Sequence, residues 1–497
     1  MPCRIIARLE IQYFHSVISS IFCLPVVRVL ELFMFGLFSP RCPLEIGIKA
    51  WIERRFRDLA AGIGGERIRQ TKILTAGAAD VPQIGSGSEQ ELAAVFAQVC
   101  YWMDRSIEDF SLQTTEDANL GGASGVYIGP QTPEERPRIV LAQSLPQDPD
   151  RLLATSAYLI GHEVVRQKFP EIARSQDVSW VIDLIPACYG LGVFAANSLR
   201  RGGVGGCGSG GCSSCGPDET ATKGVLTPTN YGHVLALLAW VRNEESPEWA
   251  TSISREVAHT MNPSLKYLTK TGDCAFNKDD FGLILENRSV SDFRAILKSS
   301  LKTQHFETLR ELVRNSEAAE ELAVDIEPFL RSRETSIRRQ AAAALSSVPK
   351  LTSDTFLEML RLMDDSEGSV RGALTYALRP GCGEEQLALE ALMKLINDPH
   401  LTTAGQAAGA LSQFDDLPNG SLDAGLKLLR RGVAKLNDDV VSVALDLLKL
   451  LTDDVESLVA ARFNDDDDVL HMVKGHLHPE AEADESLSLP IAVPPSV

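Results

Sequence analysis

Residues 162–166 read His-Glu-Val-Val-Arg. Two histidines at i and i+4 of one helix, with a glutamate after the first, form the HExxH pattern. It binds Zn²⁺ through the histidines and activates a zinc-bound water through the glutamate. Here His162 and Glu163 stand in place, but Arg166 occupies the second histidine position. A guanidinium stays charged at every accessible pH, offers no lone pair and repels a dication. The spacing permits another bond instead, because Glu163 and Arg166, three residues apart, meet on one helical face. His233 and His259 follow on later helices and read as ordinary core or surface residues, and His471, His476 and His478 as a solvated face.

A second group of reactive residues lies between Arg201 and Gly216, in RGGVGGCGSGGCSSCG. Cys207, Cys212 and Cys215 have C-x4-C-x2-C spacing, which locally resembles the cluster loop of plant-type [2Fe–2S] ferredoxins. The fourth cysteine of that pattern is missing, since the next is Cys274. The glycine content reads instead as a flexible insertion, with opportunistic zinc binding or thiol chemistry as the alternative. No P-loop, G-x-S-x-G elbow or Rossmann fingerprint occurs.

The elements that must position His162 and Glu163 can be read around them. KAWIERRFRDLAAGIGG from Lys49 has apolar residues at helical spacing and a glycine stop. A helix is expected over Glu89–Tyr101, then two short strands in GVYIG and RPRIVLAQ. Asp148 is an N-cap and Pro149 suits the first helical position of the HEVVR helix, which must stop before Pro170. Further helices are expected at Trp180–Asn197, Tyr231–Arg242 and Pro247–Met261. Helices around a small sheet predict an α+β domain over residues 49–280.

Residues 281–480 follow another rule. SIRRQAAAAL, SVRGALTYAL, TTAGQAAGAL, DVVSVALDLL and DDVLHMVKGHL align on Leu345, Leu378, Leu411, Leu448 and Leu477. Ile337, Val370, Thr403, Val440 and Val469 lie eight positions earlier, each after a polar, often Asp-rich stretch and another amphipathic helix. Neither helix of such a period can bury its apolar stripe alone, so successive pairs must stack. Ile337-Arg338 and Val370-Arg371, opening the second helix, resemble HEAT or HEAT-like repeats. The resemblance implies an α-solenoid offering a surface to another protein.

The text around HEVVR resembles an uncharacterised bacterial family with a gluzincin-type zinc-peptidase domain. The matching segments include KAWIERRFRDLA, RPRIVLAQSLPQDPDRLLATSAYLIGHEVV, WVIDLIPACYGLGVFAANS and GVLTPTNYGHVLALLAWVRNEESPEWA. That pattern implies a further helix carrying a glutamate ligand four residues before an aspartate. The aspartate is matched by Asp183, a carboxylate beside the ligands, while the glutamate position falls on Ser179. With Arg166 and Ser179 at ligand positions, His162 and Glu163 read as vestigial, and neither zinc nor another cofactor is expected.

The chain of 497 residues carries 48 basic and 67 acidic side chains, a formal charge of −19. That argues against a nucleic-acid binder, which needs clustered Lys and Arg. Its ten scattered cysteines fit a reducing compartment. Residues 1–48 form an apolar N-terminal segment. Within it residues 14–38 are nearly all apolar, broken by Pro25, Arg28 and Glu31, and leave three readings: a membrane anchor, a docked helix or a misassigned start. Residues 481–497 form an acidic, proline-containing tail. The expectation is therefore a cytoplasmic, non-catalytic protein-binding or scaffold protein, with membrane contact only through 14–38. The alternative is an active zinc metallopeptidase with a HEAT-repeat targeting domain.

Overall fold

A computed structural model describes residues 40–82, 88–132, 134–199, 226–285, 288–464 and 466–478. The N-terminal residues 14–38, the insertion with Cys207, Cys212 and Cys215, and the tail 481–497 lie outside these. The described chain is mostly helical, with one small three-stranded sheet. It divides into two compact units. One contains Arg69–Gly272; the other joins Leu44–Ile68 to the chain from Asp273 onward. Helix α1 (Ile46–Ile63) thus belongs to the second unit, not with residues 49–280 as the sequence suggested. The reason is its buried face, since Ile46 and Ala50 join the apolar core of the C-terminal helices.

In the first unit, α2 (Glu89–Trp102) precedes β1 (Ser111–Thr115), β2 (Gly125–Ile128) and β3 (Arg138–Ala142). The sheet order is β1-β3-β2, with β1 parallel and β2 antiparallel to β3. Strand β1 was not anticipated, because SLQTT lacks an apolar alternation and its side chains are only half-buried. Ile139 and Leu141 of β3 are fully buried, as period-two alternation requires. Helix α3 (Pro149–Lys168) is capped by the Asp148 carboxylate on the Arg151 amide at 3.2 Å.

The single helix expected over Trp180–Asn197 is three short ones: α4 (Val178–Ile182), α5 (Ile185–Cys188) and α6 (Gly192–Ser198). Gly190 sits at φ +80, and a Cβ there would meet the Lys72 carbonyl oxygen at 2.2 Å. Only glycine lets the chain turn this close to another backbone. Helices α7 (Pro228–Val241) and α8 (Arg255–Thr271) pack closely, since a Cβ on Gly232 would meet the Val257 carbonyl oxygen at 2.6 Å. Residues 247–254, read with α8, form a separate 3₁₀ turn ahead of it.

In the second unit, α1 lies on α9 (Lys302–Leu312), and α9 on α10 (Thr335–Ser346). Helices α11 (Ser353–Leu360), α12 (Gly368–Thr375), α13 (Glu385–Leu395), α14 (Leu401–Leu411), α15 (Ser421–Val433), α16 (Asp438–Lys449), α17 (Val455–Arg462) and α18 (Asp467–Leu477) follow. The even-numbered helices form one continuous row: α10 packs on α12, α12 on α14, α14 on α16 and α16 on α18. The aligned residues Ile337, Val370, Thr403, Val440 and Val469 are all buried in it. Small side chains set the spacing, as a Cβ on Gly405 would stand 3.2 Å from Val440.

Two arginines tie the row lengthwise. Arg338 grips Asp365 with Nε at 2.7 Å and Nη2 at 2.9 Å. Arg371 grips Asp398 identically at 2.6 and 2.7 Å. Each also donates to a carbonyl of its own preceding loop, Ser332 and Asp365 respectively. Forked, charge-assisted bonds of this kind fix position as well as adding energy. The third copy has Ala404 at the arginine position, so the forked series stops there.

At the head of the row, Lys49 is fully buried. Its Nζ lies 2.5 Å from Glu53 and donates to the Asp273 carbonyl at 2.7 Å and Thr303 Oγ1 at 2.6 Å. Glu53 accepts from the Ala275 amide at 3.0 Å. Burial pulls the Lys49 pKa down, but Glu53 and Asp273 overcome it and leave it raised. Residues more than 220 positions apart are thereby locked together.

Candidate functional site

The HEVVR motif sits in the second half of α3, against β2. Gly125 of β2 faces α3 so closely that a Cβ would lie 3.0 Å from Leu159. Tyr127, two residues on, leaves the strand on the same face and reaches the motif. Its ring stacks on His162, with centroids 5.0 Å apart and planes 12° from parallel. Tyr158, one turn before His162, meets that imidazole edge-on at 5.1 Å. Burial pushes the His162 pKa down to about 4, so the ring is neutral near pH 7. Its Nε2 is buried and meets no hydrogen-bond partner among the described residues.

Glu163 is 1% exposed. Its Oε2 accepts from Tyr127 Oη at 2.7 Å and Arg166 Nε at 2.8 Å. Its Oε1 accepts from Arg166 Nη2 at 2.6 Å and from the Gln167 amide. Burial would raise its pKa, but the bonds from Arg166, Tyr127 and Gln167 outweigh this and hold the carboxyl below its ordinary range. The same bond to Glu163 raises the Arg166 pKa. Both carboxylate oxygens are therefore committed to protein donors.

The remaining expected positions do not complete a metal site. Ser179 lies half-buried on α4, and its hydroxyl is a poor substitute for a carboxylate ligand. Asp183, at the C-terminal end of α4, is buried and accepts from the Leu226 amide at 2.8 Å. His233 is buried in α7 and His259 exposed on α8. Among the described residues no three His, Cys, Asp or Glu side chains converge to hold a metal ion. As a zinc site the donor set does not fit, with a guanidinium at one ligand position and a hydroxyl at another.

Tyr127, Tyr158 and Gln167 were not singled out from the sequence. Tyr158 and Gln167 had a signal in their spacing, four residues before His162 and four after Glu163. Tyr127 had none beyond an aromatic residue in a short strand.

A separate concavity of about 790 Å³ crosses α10, α12, α14 and α16. Its walls are small or neutral polar side chains, including Ala343, Ser347, Gly405 and Gln406. Tyr376 stands at its edge, 59% exposed, and accepts from the Gln406 amide at 3.2 Å. Among the described residues no helix is long and apolar enough to cross a membrane.

No protein-family model, no curated protein and no solved structure matches the chain.

Proposed function

We propose that this is a non-catalytic protein-binding or scaffold protein, combining an inactive zinc-peptidase-like unit with a HEAT-like α-solenoid. The observation that carries the first half is the seating of Glu163. A catalytic glutamate in this motif must have an oxygen free to take a proton from water. Here Arg166, Tyr127 and Gln167 occupy both oxygens. The row from α9 to α18 and its long concavity support the second half, because stacked helical pairs present extended surfaces suited to macromolecules. The partner class is protein; the overall charge opposes nucleic acid. The cytoplasm is the proposed location.

Incubating the purified chain with zinc and an unfolded protein substrate tests this. No zinc-dependent hydrolysis is expected, and elemental analysis should find zinc well below one equivalent. Zinc at one equivalent, with hydrolysis that disappears in Glu163→Gln, would overturn the proposal in favour of an active metallopeptidase.

A further inference from the structure

At the C-terminal end of the row, α15, α16 and α18 enclose a groove of about 950 Å³. Leu436, Val469 and Met472 supply apolar lining, and Asp438, Asp466 and Asp468 stand around it. The positive groups nearby are few. Arg430 lies 3.6 Å from Asp466, and His476 lies 3.9 Å from Asp438; His471 completes the titratable lining. Between residues 436 and 470 the sequence has ten acidic and two basic side chains. An apolar floor inside so negative a field selects for cationic ligands that also carry apolar groups.

Leu436 is the unusual member. It is 79% exposed and adopts φ +50. The Asn437 amide bonds to the Gly432 carbonyl at 3.0 Å and the Leu436 amide to Val433 at 2.9 Å. This is the hydrogen-bond pattern of a Schellman helix end, with Leu436 at the left-handed position that glycine normally takes. A branched side chain there is strained, and its exposure gives the fold nothing in return.

We propose that this groove docks a lysine- or arginine-rich amphipathic helix of a partner protein, with Leu436 and Met472 meeting its apolar face and Asp438, Asp466 and Asp468 its cations. The proposal rests on the binding-protein reading and names the class of partner. A docked helix of this kind places apolar anchors one turn apart against the groove and leaves its charges at the rim.

The test uses the full chain and a fluorescent synthetic helix of about 18 residues with leucine on one face and lysine on the other. Two controls replace lysine by glutamate, or leucine by serine. The leucine–lysine probe should bind about tenfold tighter than either control, and its affinity should fall with salt. Leu436→Gly, and separately the pair Asp438→Asn with Asp468→Asn, should each weaken it about tenfold. Leu436→Gly should leave the melting temperature unchanged or raised, which separates lost docking from lost folding. Equal affinity for wild type and both variants, or for the serine–lysine control, overturns the proposal. Neither result depends on Glu163, so the hydrolysis test and this one fail independently.

Discussion

The guanidinium of Arg166 lies in a fork against the carboxylate of Glu163, one turn back on α3, with Nε on one oxygen and Nη2 on the other. A position that would hold a neutral metal ligand in HExxH here holds a permanent cation. It neutralises the carboxylate that such a metal would have needed.

The pair should be measurable. Arg166 is 46% exposed, so water screens it, and Arg166→Ala should cost only about 1 kcal/mol. Glu163→Leu should cost more, about 2–3 kcal/mol, because Tyr127 and Gln167 lose their acceptor inside the protein. Urea unfolding of both single variants and the double variant gives the coupling. A coupling below about 0.3 kcal/mol would remove the pair from the account of stability.

His162 makes stability depend on pH. Folded, it titrates near 4, because burial disfavours the cation; unfolded, it titrates near 6.5. Between those values the unfolded chain holds a proton that the folded chain lacks. Its contribution is complete above about pH 6.5 and is lost as the pH falls toward 4, a loss on the order of 3 kcal/mol. His162→Phe keeps the ring between Tyr127 and Tyr158 and should flatten that part of the profile. Parallel urea-midpoint curves for the two proteins from pH 4 to 8 would refute it.

The lengthwise arginines offer a graded test. Arg371→Leu leaves Asp398, 5% exposed, without its cation, and should cost about 3–5 kcal/mol. Arg371→Lys keeps the charge but not the fork, and should cost about 1–2 kcal/mol. Hydrogen exchange should quicken first in α12 and α14. Uniform quickening along the whole row would contradict a local tie.

Lys49→Met should be among the most damaging single changes, at about 3–5 kcal/mol, because it leaves Glu53 charged and fully buried. Adding Glu53→Gln removes that charge while keeping an acceptor for the Ala275 amide. The double variant should therefore melt above the Lys49→Met single. A further drop instead would mean that Glu53 is not the group left stranded.

The local pattern carried much of the fold. Asp148 and Pro149 announced α3, and the eight-residue interval from Val370 to Leu378 announced buried positions in the row. Long-range pairing was not legible. Nothing near Lys49 indicates Asp273 or Thr303, and Arg371 and Asp398 are 27 residues apart with no local reason to meet. The three-way break of Trp180–Asn197 depends on Lys72, more than a hundred residues earlier. At the site, Arg166 and Glu163 could be paired from spacing alone, whereas Tyr127 arrives through the sheet.

The lock between Lys49 and Asp273 also sets an order of events during synthesis. Helix α1 leaves the ribosome 224 residues before its carbonyl partner at Asp273 exists. At about 5–20 residues per second, that is a wait of roughly 10–45 s. Throughout it, an amphipathic helix with a lysine and a glutamate on its inward face has no seat. A fragment cut between the two units by sequence position alone would leave the row without its first helix, and the helix without its row.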